Sequence, residues 1–139
     1  MTGQHERDAK QDIGELLVRY CTGIDQRDWE LFRACFADDC HADYGDVGMW
    51  ESAGDITDFM AATHAGMGHT LHRLSNVAVT LDGEAAEARS YVDAILMSAD
   101  GHSGFNACGW YDDALTGTAG GWRITRRHFT MVHVRTISG

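Results

Sequence analysis

Leu81-Asp-Gly-Glu-Ala-Ala-Glu-Ala-Arg-Ser-Tyr-Val-Asp-Ala-Ile-Leu-Met-Ser-Ala-Asp-Gly101 carries an Asp-Gly pair at each end. Asp-Gly supplies the left-handed conformation that a tight hairpin turn requires. Between the pairs, Glu87, Arg89, Tyr91 and Asp93 alternate with Ala88, Ser90 and Val92. That period of two marks a strand over about 85–98 with two unlike faces. Working outward, residues 69–81 read as extended through Leu71, Val77, Val79 and Leu81. Residues 104–115 form a further strand, and after a loop at 116–121 so do 122–134. Three hairpin-like connections in a row predict an antiparallel meander.

Ahead of the sheet the period lengthens. Ile13, Leu16, Leu17, Tyr20, Cys21 and Ile24 lie at i, i+3, i+4, i+7, i+8 and i+11, one apolar stripe on a helix of about four turns. Gly23 weakens its end. Asp28 is placed to cap a second, shorter helix that turns Leu31, Phe32, Cys35 and Phe36 inward. A third helix, from about Asp55 to His64, buries Ile56, Phe59 and Met60. Helices followed by a long antiparallel sheet imply an α+β fold with the helices on one sheet face. Strands of this length curl into a cone and leave a pocket beneath the helices. A single domain over residues 1–139 is expected, with no repeat and no linker.

Composition narrows the function. Twenty-one acidic against 11 basic side chains give a net charge of −10, which repels a phosphate backbone and makes nucleic acid a poor partner. The one basic cluster, Arg123, Arg126 and Arg127, is too small to reverse that field. No apolar run approaches the length of about 20 residues needed to span a bilayer. The first ten residues are polar and offer no secretory signal, so a cytoplasmic location is expected. The four cysteines contain no CxxC pair and read as free thiols, mostly small buried hydrophobes. His69 and His72 fall on opposite faces of a strand, and the other histidines are scattered, so no metal site is expected. No phosphate-cradling glycine loop is present, and no cofactor is expected.

The runs Ile13-Gly-Glu-Leu-Leu-Val-Arg-Tyr-Cys-Thr-Gly-Ile-Asp25, Asp28-Trp-Glu-Leu-Phe32 and Phe36-Ala-Asp-Asp39, with Leu71-His-Arg-Leu-Ser-Asn76, Gly109-Trp-Tyr-Asp-Asp113 and Gly121-Trp-Arg-Ile124, resemble a snoaL-like domain of the nuclear transport factor 2-like superfamily. The resemblance spans residues 8–131 and implies a cone-shaped, cystatin-like α+β barrel. Within the superfamily the chain looks most like scytalone dehydratase, bile-acid 7α-dehydratase and hexachlorocyclohexane dehydrochlorinase. These share an Asp at the end of the first helix and a His early in the first long strand, here Asp25 and His72. The bile-acid enzyme adds a Tyr and a second Asp, matched by Tyr20 and Asp93. The dehydrochlorinase has a basic residue on the last strand, matched by Arg127 or Arg126. It carries a Lys where this chain has Tyr20, which points away from dehalogenation. No counterpart of the second catalytic histidine of scytalone dehydratase is evident.

These residue types suit elimination beside a carbonyl. A histidine titrates near neutrality and can take a carbon-bound proton, then return one. A carboxylate on its far nitrogen fixes the tautomer and stabilises the imidazolium. His72 and Asp25 are therefore the expected acid–base pair. Tyr20 and Tyr44 are candidate donors to a substrate oxygen, and Asp93 is a second acid/base or a partner of Arg127. Arg127, Tyr44, Trp50, Phe59 and Met60 are the expected substrate-binding set, with the large apolar side chains receiving a flat ring system. The expected activity is a cofactor-independent dehydratase acting on a hydrophobic cyclic carbonyl compound, such as a steroid, bile-acid-like or polyketide metabolite. An isomerase, a ligand-binding protein and a dioxygenase β-type subunit are the alternatives. Trp110 and Trp122 predict an apolar outer sheet face and hence a homodimer or homotrimer.

Overall fold

Helix α1 (Gly3–Gln26) starts a full ten residues before its apolar stripe, capped by the Thr2 hydroxyl, which accepts from the His5 amide. The computed structural model describes residues 2–138. The early turns are exposed and carry side-chain bonds four residues apart, Gln4 to Asp8 and Gln11 to Glu15. They bury nothing, so hydrophobic periodicity places the helix start too late. The stripe itself behaves as expected: Ile13, Leu16, Leu17, Tyr20 and Ile24 are buried.

At the other end the helix continues past Gly23 to Gln26. Gly23 serves packing rather than termination, because a Cβ there would stand 2.9 Å from the Phe32 backbone nitrogen. Asp28 caps α2 (Trp29–Arg33) by accepting from the Leu31 amide. This helix is shorter than predicted: Cys35 lies beyond its cap and Phe36 opens strand β1 (Phe36–Asp43). Both remain buried, so their spacing satisfies a helix pattern while their backbone belongs to the sheet, with Ile124 donating to the Cys35 carbonyl. A short 3-10 turn (Gly45–Val47) and strand β2 (Met49–Trp50) lead to α3 (Ala53–His64), capped by Ser52.

Strands β3 (Met67–Asp82), β4 (Ala85–Ser98), β5 (Gly104–Thr118) and β6 (Gly121–Ile137) form the predicted meander, each extending a few residues at most beyond the predicted bounds. The sheet order is β2-β1-β6-β5-β4-β3. One pairing departs from the all-antiparallel expectation: β1 runs parallel to β6. Hairpin signals report neighbours in sequence, whereas this partner lies most of the chain away. Asn76, in the left-handed region (φ 52), marks a bulge in β3. A second bulge falls at Gly109, where a Cβ would collide with the Thr130 carbonyl. Such bulges increase local twist and let long strands curl.

The helices cover the concave face of this six-stranded sheet. Ala86, Ala88 and Ser90 on β4 are buried beneath them, and small side chains there let the helical layer approach. Cys21, Cys35 and Cys40 are buried free thiols that burial pushes up to about 12, 11 and 11. They remain protonated and pack as hydrophobes, as expected.

The convex face is mixed, with Leu71 and Tyr91 exposed on it beside charged side chains. It carries the ion pairs Arg73–Asp93 (2.8 Å) and Arg89–Asp112 (2.7 Å), with Arg89 lying over Trp110. Trp122 packs against the core instead. Among the described residues no helix is long and apolar enough to cross a membrane.

Candidate active site

The last turn of α1 brings Asp25 against the first half of β3. Its Oδ1 lies 2.7 Å from His72 Nδ1, and its Oδ2 accepts from the His72 backbone N–H at 2.8 Å. Thr70, two residues earlier and therefore on the same strand face, donates its hydroxyl to Oδ1 at 2.9 Å. Asp25, its side chain 17% exposed, is thus held at three contacts, and His72 is 8% exposed. Because Asp25 occupies Nδ1, the Nε2 of His72 is the nitrogen free to act. The predicted pair is in contact.

His72 lines a cavity of about 230 Å³ between the helices and the concave sheet. Its walls are almost wholly apolar: Ile24 from α1, Phe59 and Met60 from α3, Val92, Ala94 and Leu96 from β4, and Phe129 from β6. Phe59 and Met60 are thus where the sequence placed them. Trp50 is not a lining residue. It packs tilted against Phe59 at 4.7 Å and edge-on against Tyr44 at 5.4 Å, buttressing the wall from behind.

Besides His72, the polar residues lining this cavity are Tyr20, Tyr44, Tyr111, Thr63 and His64. Tyr20 and Tyr44 line it with their hydroxyls 2.7 Å apart. Arg127 donates to the Tyr44 hydroxyl at 3.2 Å. Burial pushes the Tyr20 phenol far above its ordinary value, with Tyr111 and Tyr44 adding to the effect. Both tyrosines therefore stay protonated and can donate. In the Tyr20–Tyr44 contact either hydroxyl can be the donor, so one phenolic proton of the pair is left over from it.

Arg127 does not line the cavity. It lies behind the tyrosines, 1% exposed, with its guanidinium 4.2 Å from the Tyr20 ring centroid and 3.8 Å from that of Tyr111. Its partner is Asp113, which accepts two parallel bonds at 2.7 and 2.9 Å. Burial opposes the charge on Arg127, but the Asp113 carboxylate more than offsets it and holds the guanidinium well above its ordinary value. The expectation of direct substrate contact is corrected to a charged support beneath the tyrosine pair. Asp113 was missed because an Asp-Asp pair on a strand reveals neither which member faces inward nor what waits there.

Asp93 also needs correction. Val92 and Ala94 point into the cavity, so Asp93 between them faces the convex surface. There it accepts from Asn106, Cys108 and Arg73, which hold its carboxyl below the usual range, the Asn106 bond contributing most. It touches neither Arg127 nor the cavity.

His64 is a further polar lining residue, one the sequence did not single out. It is 4% exposed, lines the cavity and ends α3. Its Nδ1 lies 2.8 Å from the Met60 carbonyl. A carbonyl can only accept, so Nδ1 carries the proton and Nε2 presents a lone pair. Nε2 is buried with no hydrogen-bond partner among the described residues. Burial lowers the pKa of this ring, with the Arg27 and His72 charges acting in the same direction. The cavity therefore holds one histidine backed by a carboxylate and one neutral acceptor, with a phenolic donor beside them.

Three comparisons bear on this geometry. The SnoaL-like domain profile matches residues 5–128. An uncharacterized protein of Mycobacterium tuberculosis is 31% identical over 118 residues, covering 84% of this chain and 80% of its own length. A structure from Novosphingobium aromaticivorans assigned as an aromatic ring hydroxylase superposes with a TM-score of 0.85 at 25% identity, covering 93% of each chain. Another from the same organism, assigned as a scytalone dehydratase, gives 0.84 at 21% identity, covering 95% of this chain and 87% of its own. A hexachlorocyclohexane dehydrochlorinase gives 0.83 at 17% identity, covering 98% and 91%.

Proposed function

The chain belongs to the SnoaL-like domain family, and from that premise we propose that it is a cofactor-independent lyase that eliminates water from a compact cyclic β-hydroxy carbonyl compound. The observation that carries this reading is the 2.7 Å contact between Asp25 and His72 at the wall of an otherwise apolar cavity. The likeness to structures assigned as a scytalone dehydratase and a dehydrochlorinase supports a lyase over other chemistry.

Each polar group has a task in such a reaction. Tyr20 donates to the substrate carbonyl oxygen and stabilises the developing enolate. His72 Nε2 removes the proton from the adjacent carbon, and Asp25 stabilises the imidazolium through Nδ1. The enolate then collapses and expels the β-hydroxyl, which takes the proton held on His72 and leaves as water. An α,β-unsaturated carbonyl remains, and His72 is neutral again. His64, with its proton committed to the Met60 carbonyl, accepts from the substrate hydroxyl and orients it. This assigns to His64 and His72 the work that the sequence expected of Asp93.

Cavity size refines the substrate. A cavity of 150 Å³ holds benzene, so about 230 Å³ encloses one or two fused rings. A four-ring skeleton would project through the mouth, past Phe105 and Met131, which are 38% and 42% exposed. The free thiols favour a cytoplasmic setting for this chemistry.

The test is turnover of a panel of one- and two-ring β-hydroxy ketones, followed by the absorbance of the conjugated product. His72→Ala is expected to lower the rate by at least a hundredfold, in the range lost with a general base, while circular dichroism stays unchanged. A panel without turnover, or a variant as fast as the parent, rejects the reading. A second reading, a non-catalytic subunit, predicts instead that His72→Ala leaves assembly and the partner's activity intact.

A further inference from the structure

Arg27 stands immediately past the end of α1 in the left-handed conformation (φ 57), with its backbone N–H turned to the Gly23 and Ile24 carbonyls. Its guanidinium folds back under the helix end. Nη1 donates to the Ile24 and Asp25 carbonyls at 3.1 and 3.2 Å and to Thr70 Oγ1 at 2.9 Å, while Nη2 donates to the Gly68 carbonyl. A cation at a helix C-terminus is favourable. Here it also resolves a local conflict, because Asp25 sets a carboxylate at the negative end of the same helix.

The proton on Thr70 has only one place to go. Arg27 cannot accept, so Thr70 Oγ1 accepts from Arg27 and donates to Asp25 Oδ1. That oxygen is the one that also receives His72 Nδ1–H. The other carboxylate oxygen is pinned by the His72 backbone amide, so Asp25 keeps its place whether or not the threonine hydroxyl is present. Thr70 is 3% exposed, and its bonds act without competition from bulk water.

We propose that Arg27 and Thr70 are positioning residues that temper the grip of Asp25 on His72: the polarised threonine hydroxyl draws charge from Oδ1 and keeps the imidazole free enough to give its proton back. The proposal rests on the Asp25–His72 base assigned above. A carboxylate accepting more hydrogen bonds is a weaker partner for an imidazolium. An untempered Asp25 would hold the protonated ring too firmly for the second proton transfer.

Few other charges face His72 to confuse the effect. From α1 come Asp25 and Cys21, the latter held as a neutral thiol by burial, and from its C-cap comes Arg27. Beside it on β3 stands Thr70, which does not titrate. From α3 comes His64, kept neutral by burial. Across the cavity are Tyr20, Tyr44 and Tyr111, all protonated because burial raises them.

The experiment is a ring-nitrogen NMR titration of His72 in the full chain, which needs no substrate. Thr70→Val removes the hydroxyl at constant shape and is expected to move the His72 midpoint upward by roughly half a pH unit or more. Arg27→Met moves it the same way, and Thr70→Ser restores the parent value. Should the valine variant fail to fold, Thr70→Ala carries the same expectation. A midpoint unmoved or lowered in the hydroxyl-less variant overturns the proposal, since a merely structural threonine would release Asp25 and weaken the pair. Asp25→Asn separates the two claims. It lowers the midpoint if the pair operates, and leaves it unchanged only if the pair itself, and the tempering with it, is wrong.

Discussion

His64 shows how a single proton's location defines a residue's use. The Met60 carbonyl four residues back claims the Nδ1 proton, and the cavity wall isolates Nε2. Because burial holds the ring below its ordinary 6.5, the unfolded chain binds a proton before the native chain does as pH falls. Stability from this site is therefore full above about pH 6.5 and is lost as pH drops through the lowered native value. His64→Asn, which keeps a donor near the Met60 carbonyl, is expected to flatten that acid-side decline in thermal unfolding midpoints measured from pH 7 to 5. An unchanged slope would mean that His64 is not buried as a neutral ring. His72 and Asp25 were legible in the sequence because their types and their places on a helix end and a strand belong to a recognisable pattern. His64 was not, since one polar residue closing a helix resembles any other. Asp93 misled for a related reason: matching a residue type does not say which sheet face it occupies.

Elements are positioned by close approaches that composition does not advertise. Gly23 lets α1 and α2 meet, and through that contact α1 presents both Tyr20 and Asp25 to the sheet. Gly23→Ala would set a methyl 2.9 Å from the Phe32 backbone nitrogen. A backbone neighbour cannot swing aside as a side chain can, so overpacking of about 1–3 kcal/mol is expected, read as a lower urea midpoint at unchanged slope. Ala's better helix propensity, worth about 1 kcal/mol over Gly, would win instead if the two helices could part freely. Strand lengths and hairpins were visible from period and turn chemistry, which are local. The start of α1 and the end of α2 were displaced, because an exposed helix has no apolar stripe and Phe36 fits either pattern.

Across the whole molecule, the Arg127–Asp113 pair joins β5 and β6 at the floor of the cavity and supports the tyrosines above it. Arg127→Met alone strands a buried carboxylate and is expected to cost about 3–5 kcal/mol, whereas Arg127→Met with Asp113→Leu should recover most of that loss. Equilibrium unfolding of the single and double variants measures it, and equal losses in both would show that the pair is not sealed from water. The charge balance, the α+β class and the meander follow from the sequence alone, because each depends on local periodicity or on residue type, and the Asp–His pair follows from the family resemblance that the sequence carries. The parallel β1–β6 pairing, the outward turn of Asp93, the burial of Arg127 with Asp113, and the meeting of Arg27, Thr70 and Asp25 were decided only by the tertiary structure. Each brings together groups distant in the chain or depends on which face a curled strand turns inward, and closing those contacts is a property of the packed whole.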